Sequence, residues 1–223
     1  MAETAPPVDR RALGLLVAAA AIALLTVGLV VRFGLVRPPE LAAIDDATRP
    51  PHPVVLASFR EATRDTCLHV IEPDGTVNEL RCGLEGGPLI GWDDEGILVL
   101  RFGPLGERLD VIDVVTGGTL TSRSVSAEEL GGRWDLSVDV ERSGRTLLIR
   151  DVDRTVRWSV EVADGYQITA AVRDPATATI ALLDQAGRLL VLPPDAPEPR
   201  VWVEDVGARY GELVWRGTTV MAD

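Results

Sequence analysis

The segment "PLIGWDDEGILVL", residues 88–100, decides the fold, because an apolar run leads through a polar turn into a second apolar run. Short apolar runs bounded by Gly, Asp or Pro are typical of β-strands. The pattern recurs in three further segments: "DLSVDVERSGRTLLI" (135–149), "TAAVRDPATATIALL" (169–183) and "GELVWRGTTVM" (211–221). Amphipathic helical periodicity is not evident after residue 53. The sequence therefore predicts an all-β domain over residues 54–223.

The spacing of these segments indicates a repeat. Their second strands begin near residues 97, 146, 179 and 218, and a matching strand begins at Val54. The intervals of 43, 49, 33 and 39 residues lie around the ~40–50 residues of a four-stranded propeller blade. The turn at 92–96, "WDDEG", and the following "RLDVIDVVTGG" (108–118) resemble TolB-type and related WD-like β-propeller repeats.

This resemblance implies a small β-propeller of about four blades, and a partial propeller or a two-sheet β-sandwich remains as an alternative. The unit that starts near residue 146 is short and is expected to lack an outer strand. The first unit begins at its second strand, so the C-terminal "GELVWRG" (211–217) would supply the missing one. Closure by strands from both ends of the domain would remove open sheet edges.

The segment "TCLHVIEPDGTVNELRCG", residues 66–83, contains both cysteines of the chain on either side of a turn. With a four-residue loop, Cys67 faces Cys82 across a hairpin, at a distance that suits a disulfide. A three-residue loop with a Gly bulge at Gly75 is also good turn chemistry, and it would pair Glu72 with Thr76 and put the two cysteines on opposite faces. We predict the disulfide Cys67–Cys82, with two separate buried thiols as the alternative.

The N-terminal part predicts a membrane anchor. Residues 12–31 are twenty consecutive uncharged, mostly apolar residues flanked by arginines, which is long enough to cross a bilayer. We therefore expect a short cytoplasmic tail at 1–11, one transmembrane helix at 12–33 and a proline-rich linker at 34–53. The domain at 54–223 would then lie on the extracytoplasmic side, which agrees with a disulfide in an oxidising compartment.

Charge and motifs limit the functions to be considered. Acidic and basic residues balance before residue 54, so the whole net charge of −12 belongs to the domain, and nucleic acid is not an expected partner. Of the two histidines, His52 lies in the proline-rich linker, and His69, within a strand, is expected to pack rather than catalyse. A single His beside two Cys does not complete a zinc shell, so we predict no metal, no cofactor and no catalytic residue.

Two functional hypotheses remain. The first is a membrane-anchored, extracytoplasmic binding or scaffold protein of the bacterial cell envelope, whose partner is a protein or an envelope component. The alternative is an envelope hydrolase that uses paired carboxylates in the propeller channel. The acidic turn 93–95 is expected to be solvated, as is Glu128–Glu129, and the five tryptophans are expected to pack within the sheets: Trp92, Trp134, Trp158, Trp202 and Trp215.

Overall fold

A computed structural model describes residues 38–60, 63, 65–84, 89–103, 106–126, 138–151 and 153–219. These residues form sixteen strands and no helix, which confirms the predicted all-β class. The strands belong to one compact unit of the chain. In chain order they are β1 (Val54–Arg60), β2 (Asp65–Ile71), β3 (Val77–Leu84), β4 (Leu89–Trp92), β5 (Ile97–Gly103), β6 (Gly106–Ile112), β7 (Thr119–Ser124), β8 (Asp139–Ser143), β9 (Thr146–Arg150), β10 (Val156–Glu161), β11 (Ile168–Arg173), β12 (Ile180–Asp184), β13 (Leu189–Leu192), β14 (Arg200–Val203), β15 (Gly211–Trp215) and β16 (Thr218–Thr219).

The strands form four antiparallel sheets rather than the two layers of a sandwich. Sheet 1 has the order β15-β1-β2-β3, sheet 2 β16-β4-β5-β6-β7, sheet 3 β10-β9-β8 and sheet 4 β11-β12-β13-β14. The first strands of the four repeat units are neighbours in space, since β15 lies beside both β4 and β11, and β11 lies beside β8. Small sheets whose first strands adjoin one another are consistent with a propeller-like fold.

The prediction that the C-terminal segment supplies the missing strand of the first unit is confirmed. Strand β15 pairs with β1 along its whole length, with Val214 opposite Val55. Gly211 is required at the start of β15, because a Cβ atom there would lie 2.5 Å from the carbonyl oxygen of Ala57. The turn after β15 leads directly into β16, which pairs with β4. The C-terminal segment thus pairs with sheet 1 through β15 and with sheet 2 through β16.

The short third unit also agrees with the prediction. Sheet 3 has three described strands, and residues 162–167, all of them described, contain no strand between β10 and β11. The chain passes directly from sheet 3 into sheet 4, so the outer strand that the other units possess is missing.

Buried side chains join the sheets in two main clusters. The first joins sheets 1 and 4 and includes Leu56, Trp202 and Trp215. The second joins sheets 1 and 2 and includes Val55 and Trp92. The four tryptophans within the described ranges are all buried, as predicted, and Trp134 lies outside those ranges.

Residues 38–53 pack along sheet 4. Ala43 forms a parallel bridge with Val201 of β14, supported by hydrogen bonds of 2.9 Å from the amide of Ile44 and 2.8 Å to the carbonyl of Ala42. The Ile44 side chain packs against the cluster between sheets 1 and 4. This segment therefore covers the outer edge of sheet 4.

Within the described ranges there is no helix long and apolar enough to cross a membrane. The predicted tail at 1–11 and the predicted transmembrane helix at 12–33 both lie outside those ranges.

Candidate functional site

The hairpin β2–β3 combines the two registers that the sequence left open. At the turn, the amide of Glu72 donates to the carbonyl of Thr76 over 2.9 Å, which is the three-residue loop that ends at Gly75. Gly75 has φ +87°, the left-handed conformation that this loop requires. The ladder continues in this register to the pair His69 and Glu79.

Two β-bulges then restore the cysteine pairing. The first adds Leu80 to β3, so that Leu68 pairs with Arg81, and the second lies near Gly83. Between the bulges Cys67 faces Cys82, with Cα atoms 4.0 Å apart and an S–S bond of 2.08 Å. The predicted disulfide is therefore present. The expectation that a three-residue loop would separate the cysteines is wrong, because a bulge inserts one residue and reverses the faces beyond it.

The disulfide belongs to a polar group of six residues on one face of sheet 1, which we name the hairpin cluster: Ser58, Arg60, Cys67, His69, Glu79 and Cys82. One nitrogen of His69, Nε2, lies 3.0 Å from the hydroxyl of Ser58, and Arg60 donates to the carboxylate of Glu79 over 2.6 Å. The possible ligand atoms of Cys67, His69 and Glu79 lie within 4.8 Å of one another. These three residues are the ones that could hold a metal if the sulfur were a thiolate.

Burial has the largest effect on the pKa of His69. It lowers the pKa of the imidazole, while the nearby carboxylate of Glu79 partly opposes this effect and the guanidinium of Arg60 adds to it. The ring is buried and bonded to Ser58, which confirms the expectation that His69 is a satisfied histidine. Sequence reasoning missed Glu79 and Ser58, because their positions depend on the bulge and on the pairing of β1 with β2.

The disulfide should contribute strongly to stability. We expect the double variant Cys67→Ser/Cys82→Ser to lose about 3 kcal/mol of unfolding free energy, since the bond closes a loop with a sequence separation of 15. Urea denaturation of the oxidised wild type and the variant measures the difference. Adding reductant should lower the midpoint of the wild type but leave that of the variant unchanged. Equal unfolding free energies of the oxidised wild type and the variant would contradict the prediction.

The second histidine, His52, ties the linker to sheet 4. Its Nδ1 lies 3.1 Å from a carboxylate oxygen of the fully buried Asp174. Burial alone would raise the pKa of Asp174, but hydrogen bonds from Thr177, Ala176 and His52 hold it below its ordinary value. This arrangement explains the packing of residues 38–53, and it gives His52 a structural partner 122 residues away in sequence.

In two of the acidic turns, an aspartate carboxylate accepts hydrogen bonds from backbone amides of the same turn. The carboxylate of Asp93 accepts hydrogen bonds of 2.8 and 3.1 Å from the amides of Glu95 and Gly96. The carboxylate of Asp113 does the same for Val115 and Thr116. The expectation that residues 93–95 form a solvated turn is confirmed, while Glu128–Glu129 lies outside the described residues.

Glu212 lies on β15, one of the adjoining first strands. Its Oε2 accepts a 2.5 Å hydrogen bond from the amide of Leu89 on β4. Burial raises the pKa of Glu212, and the hydrogen bond from Leu89 opposes that rise. The carboxylate thus bridges sheets 1 and 2.

Glu212 should make stability depend on pH. A folded-state pKa above the unfolded value adds stability that is complete below the unfolded value and is lost as pH rises through the folded one. We therefore expect Glu212→Gln to be more stable than wild type near neutral pH and equally stable in acid, because glutamine keeps an oxygen for Leu89. Denaturation midpoints at both pH values test this, and a variant less stable at neutral pH would contradict it.

The fold and the site together define an all-β, propeller-like domain with a disulfide hairpin. No protein-family model matches the chain, and no curated protein matches it. Eighteen chains of solved structures match. One is a chain of the structure titled "Crystal Structure of Mitotic Checkpoint Complex", with 14% sequence identity and a TM-score of 0.24; the match covers 79% of this chain and 62% of that one. At such similarity we draw nothing from that protein's role.

Proposed function

We propose that the chain is a membrane-anchored, extracytoplasmic binding or scaffold protein of the bacterial cell envelope. In this proposal residues 12–33 are the anchor, residues 34–53 lead to the domain, and the four sheets form a four-bladed propeller closed by β15. The disulfide Cys67–Cys82 supports the location, because such bonds persist in oxidising compartments. A propeller supports binding by presenting several strand ends and loops on one face.

The observation that carries the binding role is a pair of exposed aromatic residues at equivalent positions. Phe59 is the sixth residue of β1 and Phe102 the sixth of β5, and each of these strands is third from the β3 or β7 edge of its sheet. Their exposed fractions are 53% and 57%. In a propeller the two positions lie on the same face, and exposed aromatic side chains are the commonest anchors of protein interfaces.

The test compares crosslinking in the native membrane for the full chain and for Phe59→Ser/Phe102→Ser. Because both side chains are exposed, the variant should fold normally, and we expect it to lose the crosslinked partner of the wild type. The matched control is Leu120→Ser on β7, where an equally exposed apolar residue, at 54%, lies outside the pair. Identical crosslinks in the phenylalanine variant and the wild type would refute the binding face.

Location is tested separately. Alkylation of intact cells without reductant, followed by mass spectrometry, should find Cys67 and Cys82 linked, and deletion of residues 12–33 should release the protein from the membrane fraction. Two alkylated thiols, or a deletion variant that still sediments with membranes, would count against the proposed location.

A second candidate function is hydrolysis of a glycosidic bond, and the observation that favours it is Glu212. Desolvation raises the pKa of this carboxyl on a first strand, and a raised pKa is the property that a general acid needs. The full chain would then cleave chromogenic glycosides, and Glu212→Gln would abolish that cleavage. Cleavage that persists in the variant, or its absence in the wild type, would reject this role for Glu212.

A further inference from the structure

The hairpin cluster has the composition of a metal site held closed by a disulfide. Ligand atoms of Cys67, His69 and Glu79 lie within 4.8 Å of one another, and the sulfur of Cys82 is bonded to that of Cys67. The ligands of a tetrahedral zinc ion lie roughly 3.3–3.8 Å apart, given zinc bond lengths of about 2.0–2.3 Å. Small side-chain rotations would therefore bring these groups to zinc-binding distance.

The bulge at Leu80 is what places the fourth ligand. In a regular strand, residues three apart such as Glu79 and Cys82 point to opposite faces. The extra residue in β3 returns them to the same face, where Glu79 pairs with His69 and Cys82 with Cys67. Four potential ligands thus occupy two adjacent rows of one sheet face.

The hydrogen bonds of Ser58 permit the tautomer of His69 that a zinc site needs. The Ser58 hydroxyl lies 3.4 Å from the carbonyl oxygen of Cys67, to which it can donate, and 3.0 Å from Nε2 of His69. If the hydroxyl donates to the carbonyl, its oxygen accepts from Nε2–H, and the lone pair of Nδ1 remains available. Ligating histidines usually donate their other N–H to such a partner.

We propose that reduction of the disulfide converts the hairpin cluster into a zinc site with Cys67, Cys82, His69 and Glu79 as ligands. A dithiol reductant attacks one sulfur, and its second thiol resolves the mixed disulfide. The reductant leaves as a disulfide, and the protein gains two electrons and two protons as two thiols. Zinc then displaces the two thiol protons and forms two Zn–S bonds.

The burial of the two cysteines and the charge of Arg60 are compatible with reduction of the disulfide and zinc binding. Cys67 is fully buried, but Cys82 is half-buried, so a reductant would approach the disulfide from the side of Cys82. A zinc ion with two thiolates and one carboxylate carries a net charge of −1. The guanidinium of Arg60, already bonded to Glu79, lies where it would balance that charge.

The test uses the full chain reduced by a phosphine in oxygen-free buffer, with Co²⁺ as the probe. We expect one equivalent of Co²⁺ to give thiolate-to-cobalt charge-transfer absorption and tetrahedral visible bands, which Zn²⁺ then removes. The oxidised protein should give neither. Reduced protein that shows no thiolate-to-cobalt absorption would overturn the proposal.

The variant Glu79→Gln distinguishes the folded site from two thiols acting alone. Glu79 is exposed, so this variant should fold, and we expect its zinc affinity in chelator competition to fall at least about tenfold. The matched control is Glu72→Gln at the turn of the same hairpin, which should bind zinc like wild type. Equal affinity of Glu79→Gln and wild type would also overturn the proposal. The partner-binding experiment above does not involve these residues, so the two proposals can fail independently.

Discussion

Replacing Trp215 with alanine should remove about 3–5 kcal/mol of unfolding free energy, the cost of emptying a large buried aromatic site. Trp215 is fully buried on β15 and stacks on Trp202, with ring centroids 5.8 Å apart and planes 13° from parallel. Its Nε1–H also donates to the carbonyl of Val172 over 3.2 Å. The side chain therefore joins the closing strand to sheet 4. Domains commonly have only about 5–15 kcal/mol in total, so the variant should be close to unfolding.

Equilibrium urea denaturation measures this loss, and two further variants separate its causes. Trp215→Phe keeps an aromatic ring but loses the Val172 hydrogen bond, so it should cost less than the alanine change. Tyr210→Ala, at a residue that is 59% exposed just before β15, is the control and should stay within about 0.5 kcal/mol of wild type. A loss below about 1 kcal/mol for Trp215→Ala would show that β15 is not held by this contact.

The second large effect is expected at Asp184, at the end of β12. Its fully buried carboxylate accepts from the Nε of Arg188 over 2.8 Å, from the Arg188 amide over 2.9 Å and from the Tyr166 hydroxyl over 3.1 Å. Asp184→Ala would leave the buried guanidinium without its counter-charge. Removing one partner of a buried ion pair typically costs about 3–5 kcal/mol. Thermal and urea unfolding should both show the loss.

A double variant tests whether the unpaired charge of Arg188 causes the loss of stability. Asp184→Ala/Arg188→Met removes both charges, so it should be more stable than Asp184→Ala alone, because no uncompensated charge stays buried. Asp195→Ala, an exposed carboxylate in the turn between β13 and β14, is the control and should change stability by less than about 0.5 kcal/mol. Additive losses in the double variant would mean that Asp184 acts through the backbone turn rather than through the ion pair.

The structural elements that could be predicted from the sequence are those determined by residues close together in the chain. Alternating apolar runs between Gly and Asp turns specify strands without reference to the rest of the chain. The pairing of β15 with β1 was predicted from the number of strands in each repeat unit. The first unit begins at its second strand, and the C-terminal segment contains a strand that can complete it.

The features that escaped prediction depend on contacts distant in sequence. The register of β2 and β3 changes at Leu80 because its side chain packs against the cluster between sheets 1 and 2, and turn chemistry carries no information about that contact. Glu79 therefore could not be placed beside His69. The pairing of His52 with Asp174 was likewise hidden, because a proline-rich pattern does not reveal which sheet the segment will cover.

The pairing of β15 with β1 sets the order in which a newly made chain can mature. Strand β1 is among the first of the domain to leave the ribosome, but its partner lies about 155 residues later, so its hydrogen-bonding edge stays open through most of synthesis. The domain is consequently completed only after β15 has left the ribosome. A ribosome that stops before residue 211 would release a polypeptide with an exposed edge, which is a substrate for chaperones and proteases rather than a smaller working protein.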